Sequence, residues 1–135
     1  MVCIYCEGPT RVSNSRPQKR LQQVWRRRQC GRCGAVFTTN EATDLSGSWV
    51  VRSAQGRPEP FSRDTLLVSV LRAVGHREQP VPDAGALTAT IISKLLRATR
   101  SAEISPTQIA STTLETLQRF DDVAAVQYRA YHKQP

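Results

Sequence analysis

Aromatic residues are scarce in this chain, only 6% of its 135 positions, so any core it builds must be mainly aliphatic. Long apolar runs are missing: no stretch approaches the roughly 18 apolar residues of a membrane-spanning helix. The opening MVCIYCEGPT also lacks the basic-then-apolar order of a secretory leader. The expected location is therefore the cytoplasm, with no membrane partner. Acidic residues are outnumbered, 11 against 19 Lys+Arg. No G-x-x-x-x-G-K-[ST] loop and no carboxylate cluster for a catalytic Mg²⁺ is present, which argues against an enzyme acting on nucleotides or DNA. Cysteine does not occur after position 33, and there is no internal repeat or low-complexity tract.

What is present is basic and unevenly placed. The net charge is +8 and the pI near 10, which favours a polyanionic partner, nucleic acid first. Residues 1–49 carry 8 Lys+Arg and 3 Asp+Glu, a net of +5, against +3 for the rest. A small binding module over residues 1–45 followed by a more neutral domain over residues 49–133 fits this split. The boundary falls near Asp44–Ser48, where DLSGS reads as a linker.

All four cysteines form a C-x2-C, 23-residue insert, C-x2-C pattern: Cys3, Cys6, Cys30 and Cys33. In a reducing compartment such pairs are metal ligands more readily than disulfides. Two cysteines three apart place both sulfurs on one ion when the backbone makes a tight knuckle. Gly8 and Gly34 are candidates for the left-handed turns this needs. Four thiolates at about 2.3 Å make a closed, structural tetrahedron, so one Zn²⁺ per chain is expected; iron or an iron–sulfur cluster is the alternative. About 45 residues cannot build a sufficient core unaided, so metal binding should drive folding.

The insert, expected as a hairpin arm, carries Arg11, Arg16, Lys19, Arg20 and then Trp25-Arg26-Arg27-Arg28. Arginine's planar fork suits phosphate. Strand alternation puts Arg26 and Arg28 on one face and Arg27 on the other. Ser15 and Asn14 are suited to phosphates or base edges, and Trp25 to stacking on a base or packing by the metal site. The DNA-contact candidates are Arg16, Arg26, Arg27, Arg28, Ser15 and Trp25.

Beyond the boundary, Trp49–Val51 and Glu59–Phe61 read as two strands around a Gln55–Gly56 turn. Ser62 caps a helix with Leu66, Leu67, Val70, Leu71 and Val74 on one face. Pro80 and Pro82 break the chain, and Asp83 caps a helix striped by Leu87, Ile91, Ile92, Leu95 and Leu96. Ala102–Ile104 is a brief strand. Ser105-Pro106 opens a helix through Ile109, Ala110, Leu114 and Leu117. Asp121 or Asp122 starts a last one through Val123, Val126 and Tyr131. His76 and His132 have no partner at metal-ligand spacing and read as surface or core residues.

Three motifs, Val12-Ser13-Asn14-Ser15-Arg16-Pro17, Arg26-Arg27-Arg28-Gln29-Cys30-Gly31-Arg32-Cys33-Gly34 and Phe37-Thr38-Thr39-Asn40-Glu41, resemble the NrdR family of bacterial repressors of ribonucleotide reductase genes. Val50-Val51-Arg52, Gly56-Arg57-Pro58-Glu59-Pro60-Phe61 and Asp122-Val123-Ala124 look like that family's second domain, an ATP-cone. The resemblance implies an α+β fold: a small rubredoxin-like zinc ribbon, then a helical bundle capped by a short β-sheet. It also implies a homo-oligomeric repressor of bacterial origin on double-stranded operator DNA, with ATP and dATP as effectors. The implied nucleotide site comprises Val51, Arg52, Arg57, Phe61, Leu66, Arg129 and Lys133. Arg52-Ser53-Ala54-Gln55-Gly56 stands where the family carries Lys-Arg and then Asp-Gly, and Thr65 where it carries a helical lysine. A constitutive nucleic-acid-binding ribbon whose cone has lost its ligand is the second reading. A zinc-stabilised protein adaptor is a further one, set apart by weak salt dependence on DNA.

Overall fold

Three antiparallel strands occupy most of the first 43 residues: β1 (Thr10–Gln18), β2 (Gln23–Cys30) and β3 (Val36–Ala42), in spatial order β1-β2-β3. They belong to a computed structural model that describes residues 1–132 and divides the chain into two units, Met1–Thr43 and the remainder from Asp44. The cysteine pairs sit at one end of this sheet, Cys3 and Cys6 ahead of β1, Cys30 closing β2 and Cys33 in the turn beyond it. β1 carries one bulge, between Val12 and Asn14, where Ser13 has no Cα partner on β2. The apolar core here is minimal: Cys3, Cys30 and Phe37, with Cys6 and Ala35 packed against them.

The second unit opens with a helical turn, α1 (Leu45–Ser48), where composition predicts a linker. Asp44 is the reason: its Oδ1 accepts from the Ser46 and Gly47 amides, satisfying N–H groups that a helix start leaves unpaired. Strands β4 (Val50–Val51) and β5 (Glu59–Pro60) pair antiparallel, as the turn at Gln55–Gly56 predicts. The third strand, β6 (Glu103–Ile104), lies parallel to β4 on its other side, giving the order β5-β4-β6.

Four helices follow: α2 (Arg63–Ala73), α3 (Pro80–Ala98), α4 (Pro106–Phe120) and α5 (Asp122–Tyr131). α2 packs on α3 and α5, and α4 packs on the same two, so the four close into a ring. Ser62 and Ser105 cap α2 and α4 as their sequences predict, accepting from Thr65 N and Gln108 N. The start of α3 differs: the helix begins at Pro80, not after Asp83. Prolines at 80 and 82 fall among the first positions, whose amides have no intrahelical acceptor, so their missing N–H groups cost nothing there. The first α-helical bond is Asp83 N to Gln79 O.

The core contains Trp49, Phe61, Val70, Ile91, Leu95 and Leu117. α4 and α5 depart from the apolar pattern. On α4 the fully covered residues are Thr113, Thr116 and Leu117, while Ile109 and Leu114 are only partly buried. Both threonines donate to carbonyls one turn back, Thr113 to Ile109 O at 2.7 Å and Thr116 to Thr112 O at 2.8 Å, so each buries a methyl without a stranded hydroxyl. On α5 the expected apolar residues Val123, Val126 and Tyr131 are exposed, and Ala124, Ala125 and Tyr128 face inward. Small alanines let α5 approach its neighbours closely, and Tyr128 reaches across with a large ring.

Asp121 fastens the helix ends. It caps α5 through Val123 N and Ala124 N, and its Oδ2 lies 3.1 Å from both His76 Nε2 and Arg77 Nη1. The Ala124 amide, then His76, with Arg77 and Val123 adding and burial opposing, hold its carboxyl down to about 2. The folded value lies below the unfolded one, so this stabilisation is complete above about pH 4 and is lost as pH falls toward 2. Asp121→Asn keeps the capping acceptor and removes the charge. Its melting temperature is expected below that of the parent at pH 6, with the gap closing between pH 4 and 2 in thermal scans. A gap that does not change with pH contradicts the assignment.

Candidate functional site

The four cysteine sulfurs lie within 4.8 Å of one another. Cys3 Sγ is 3.7 Å from Cys33 Sγ, and Cys6 Sγ is 3.5 Å from Cys30 Sγ. A tetrahedron with metal–sulfur bonds of about 2.3 Å has edges of about 3.8 Å, so the spacing fits Zn²⁺. Backbone amides converge on the sulfurs, with Tyr5 N directed at Cys3 Sγ, and Arg32 N and Cys33 N at Cys30 Sγ. These donors favour thiolate. The Cys33 amide first, with the Arg32 amide adding and burial opposing, holds Cys30 down to about 6. Cys33 behaves oppositely: the Ala35 amide lowers it, but the neighbouring Cys6, burial, and Cys30 and Cys3 push it up to about 12. Four sulfurs this close cannot all be anionic without a cation among them. When bound, Zn²⁺ supplies a closed crosslink with no open coordination position.

Glycine acts differently in the two knuckles. Gly34 has φ +74°, the left-handed turn its place after Cys33 predicts. In the first knuckle the left-handed residue is Glu7, with φ +57°, and Gly8 serves a steric purpose instead. A Cβ on Gly8 would lie 2.9 Å from Arg32 Cβ and 3.2 Å from both Cys30 Sγ and Cys6 Sγ. Gly8→Ala is therefore expected to weaken zinc binding by about tenfold to a hundredfold, the range for overpacking by about 1–3 kcal/mol. Competition against a chromophoric chelator measures it, and an unchanged affinity contradicts the packing argument.

The bulge decides which side chains share a face of the ribbon. Cross-strand register aligns Arg16 with Trp25 and Asn40, Asn14 with Arg27 and Thr38, and Arg11 with Gln29 and Val36. Those rows lie on one face. The other face aligns Ser15 with Arg26 and Thr39, and Val12 with Arg28 and Phe37. Arg26 and Arg28 are engaged there: Arg26 Nη2 is 3.0 Å from Glu41 Oε2, and Arg28 Nε donates to Thr39 Oγ1 at 3.2 Å. Arg16 and Arg27 are exposed and form no ion pair among the described residues. Trp25 is half-buried and borders a shallow concavity of about 310 Å³ with Arg16, Pro17 and Gln18.

Residues 1–41 match the family model described as the N-terminal domain of the transcriptional repressor NrdR-like proteins. Three proteins named transcriptional repressor NrdR align along almost the whole chain. That of Symbiobacterium thermophilum is 37% identical over 99% of this chain and 88% of its own length. That of Rhodococcus erythropolis is 36% identical over 98% of this chain and 78% of its own. That of Mesorhizobium japonicum is 35% identical over 98% and 83%. The chain belongs to the NrdR family. Its four-cysteine cluster is that family's zinc ribbon, and its NrdR relatives are named as repressors, not as enzymes. Among the described residues, no helix is long and apolar enough to cross a membrane.

The helical unit of this NrdR-family chain holds a cleft of about 350 Å³ beside β4 and β5. Val51, Phe61, Leu66 and Ile109 form its apolar side, and Ser62, Thr65, Ser69, Tyr128 and His132 its polar side. The structure thus brings together three of the candidate nucleotide residues. Arg52, Arg57 and Arg129 do not line the cleft. Arg52 Nη2 pairs with Glu103 Oε1 at 3.0 Å, and Arg57 and Arg129 are exposed. Lys133 lies outside the described residues.

His132 and Tyr128 escape sequence reasoning because nothing in their spacing marks them. His132 stacks on Tyr128 with ring centroids 4.2 Å apart. Its Nδ1 is 3.1 Å from the Tyr128 carbonyl oxygen, which only accepts, so Nδ1 carries a proton. In the neutral ring Nε2 then accepts from the Ser69 hydroxyl, 2.9 Å away. Burial raises the Tyr128 phenol, against hydrogen bonds with Thr113 and Ser69.

Proposed function

We propose that this chain is a zinc-dependent, nucleotide-responsive repressor that binds operator DNA of ribonucleotide reductase genes in the bacterial cytoplasm. ATP and dATP control its homo-oligomeric state, and one Zn²⁺ is held per chain. The observation that carries the reading is the near-complete alignment with proteins named transcriptional repressor NrdR. A +5 net charge over residues 1–49 supports the ribbon as the DNA-binding module. The cleft holding Val51, Phe61 and Leu66 is the nucleotide site of this reading, with residues 49–133 as the ATP-cone. Each nucleotide shifts the assembly only by its difference in affinity between forms, and so respaces the ribbons on DNA.

One observation favours the second reading, a constitutive nucleic-acid-binding ribbon. Among the described residues no lysine or arginine lines the cleft, which contains Glu59, and Thr65 stands at the family's lysine position. A triphosphate needs several cationic or N–H partners. Solution mass of the zinc-loaded protein, alone and with ATP or dATP, separates the readings. A nucleotide-dependent change in assembly supports sensing. Unchanged mass and unchanged melting temperature, with DNA binding retained, support the constitutive ribbon. Thr65→Lys is expected to tighten either nucleotide about tenfold or more, since a charge-assisted hydrogen bond contributes roughly 1.5–3 kcal/mol. Calorimetric titration reads that gain.

A further inference from the structure

We infer that one face of the ribbon, the face of Arg11, Arg16, Trp25 and Arg27, meets DNA, with Asn14 and Asn40 as its base-reading residues; this rests on the DNA-binding reading above. The opposite face positions the strands. Charge is the first ground. Glu41 is the one acidic residue in the three strands, and it lies on the Arg26–Arg28 face. Arg26 pairs with it at 3.0 Å and Arg28 donates to Thr39, so each would have to leave a partner before touching a phosphate, as would Arg11, which donates to Gln29 Oε1 at 3.0 Å; Arg16 and Arg27 have no such side-chain partner among the described residues. The Arg11–Arg16–Arg27 face carries three guanidiniums and no carboxylate.

The bulge is the second ground. Arg11 and Arg16 are five residues apart, an odd interval that in a regular strand puts them on opposite faces. The extra residue Ser13 restores the parity and brings both onto the Arg27 face. A bulge that re-aims side chains in this way concentrates cations that alternation would scatter.

Geometry is the third ground. Three short antiparallel strands fit a major groove, where a sheet face can present its side chains to base edges. Asn14 adjoins Arg27 and Asn40 adjoins Trp25 in the cross-strand rows. Both amides are exposed and are engaged by no other side chain among the described residues. Asparagine donates to and accepts from adenine through one bidentate pair, and arginine does the corresponding thing with guanine. Trp25 and the concavity beside Arg16 offer an apolar surface to a thymine methyl.

The test uses the full zinc-loaded chain, a duplex pool enriched from random sequence on the parent protein, and an unselected duplex of equal length. Affinity is measured against salt concentration, and only variants that keep one zinc and the parent amide spectrum are scored. Arg16→Gln and Arg27→Gln are each expected to weaken binding to both duplexes about tenfold and to reduce the salt slope by about one. Arg27→Glu serves where Arg16→Gln fails to fold, because position 27 is exposed. Asn14→Ala and Asn40→Ala are expected to cut the preference for the enriched duplex about fivefold or more, with the slope kept. Arg26→Gln and Arg28→Gln should leave the slope within half a unit of the parent. A slope that falls with the Arg26 and Arg28 variants and not with those at Arg16 and Arg27 overturns the face assignment alone. A parent protein with no salt-dependent affinity for any duplex, whether alone, with ATP or with dATP, overturns the DNA-binding reading and the assignment with it.

Discussion

Cys30→Ser is expected to erase the three-stranded ribbon and leave the four helices folded. The apolar core of the first unit is Cys3, Cys30 and Phe37, and two of those three are metal ligands. An apolar core that small cannot offset the conformational entropy of about 40 ordered residues, at roughly 1 kcal/mol or more each for the backbone alone. Structural zinc contributes an apparent 10–16 kcal/mol near neutral pH in comparable small domains, so metal and fold stand or fall together. Cys30 is the most consequential ligand to remove. It ends β2, its sulfur accepts from two amides, and its own amide donates to Ala35 O at 2.9 Å. Amide spectra should show residues 1–43 collapsing to the narrow dispersion of an unfolded chain, while the far-ultraviolet helical signal stays. Chelation of the parent should reproduce the same spectrum, and DNA binding should disappear in both. A metal-free ribbon that keeps its dispersed amides would falsify the account.

The split between what the sequence made legible and what it hid follows the range of each interaction. The cysteine pairs, the caps at Ser62 and Ser105 and the pairing of β4 with β5 depend on residues a few positions apart, and local patterns carry them. Three features depend on distant strands or helices. The bulge at Ser13 is visible only from the register against β2, so strand alternation alone assigns Arg11 and Arg16 to opposite faces. The rotation of α5 is set by how closely its alanines approach neighbouring helices, and valines at 123 and 126 outweigh those alanines in any hydropathy pattern. The brief strand read at Ala102–Ile104 is there as β6, but its parallel pairing with β4, across some fifty residues that contain two helices, leaves no local pattern to read.

The candidate site divides along the same line. Metal ligands could be read from spacing because thiolate geometry constrains both pairs. The cleft draws on β4, β5, α2, α4 and α5, and its hydroxyls and His132 are unremarkable in sequence. Family resemblance supplied Val51, Phe61 and Leu66, which do line it, together with arginines that do not. Likewise, a run of three arginines looks uniform until Glu41 and Thr39 engage two of them from across the sheet.

Phe61→Ala should have the converse effect of Cys30→Ser. Phe61 is 2% exposed and meets Trp49 edge-to-face, with ring centroids 5.4 Å apart and planes at 89°. Its amide donates to Trp49 O at 3.0 Å, so it also ties β5 to the chain entering β4. Truncating a buried phenylalanine costs about 3–5 kcal/mol through lost transfer energy and the cavity left behind. For a helical unit of this size each kcal/mol is about 4–8 °C, so its melting temperature should fall by roughly 15 °C or more. Phe61 also walls the cleft, so any stabilisation by ATP or dATP should be lost at temperatures where the variant is still folded. The ribbon should be indifferent, with zinc content and the amide spectrum of residues 1–43 unchanged. Differential scanning calorimetry with metal analysis measures both halves of this expectation. Loss of zinc in Phe61→Ala would show that the two units do not fold independently, and a melting temperature within a few degrees of the parent would show that the Trp49–Phe61 contact is not what holds the sheet on the helices.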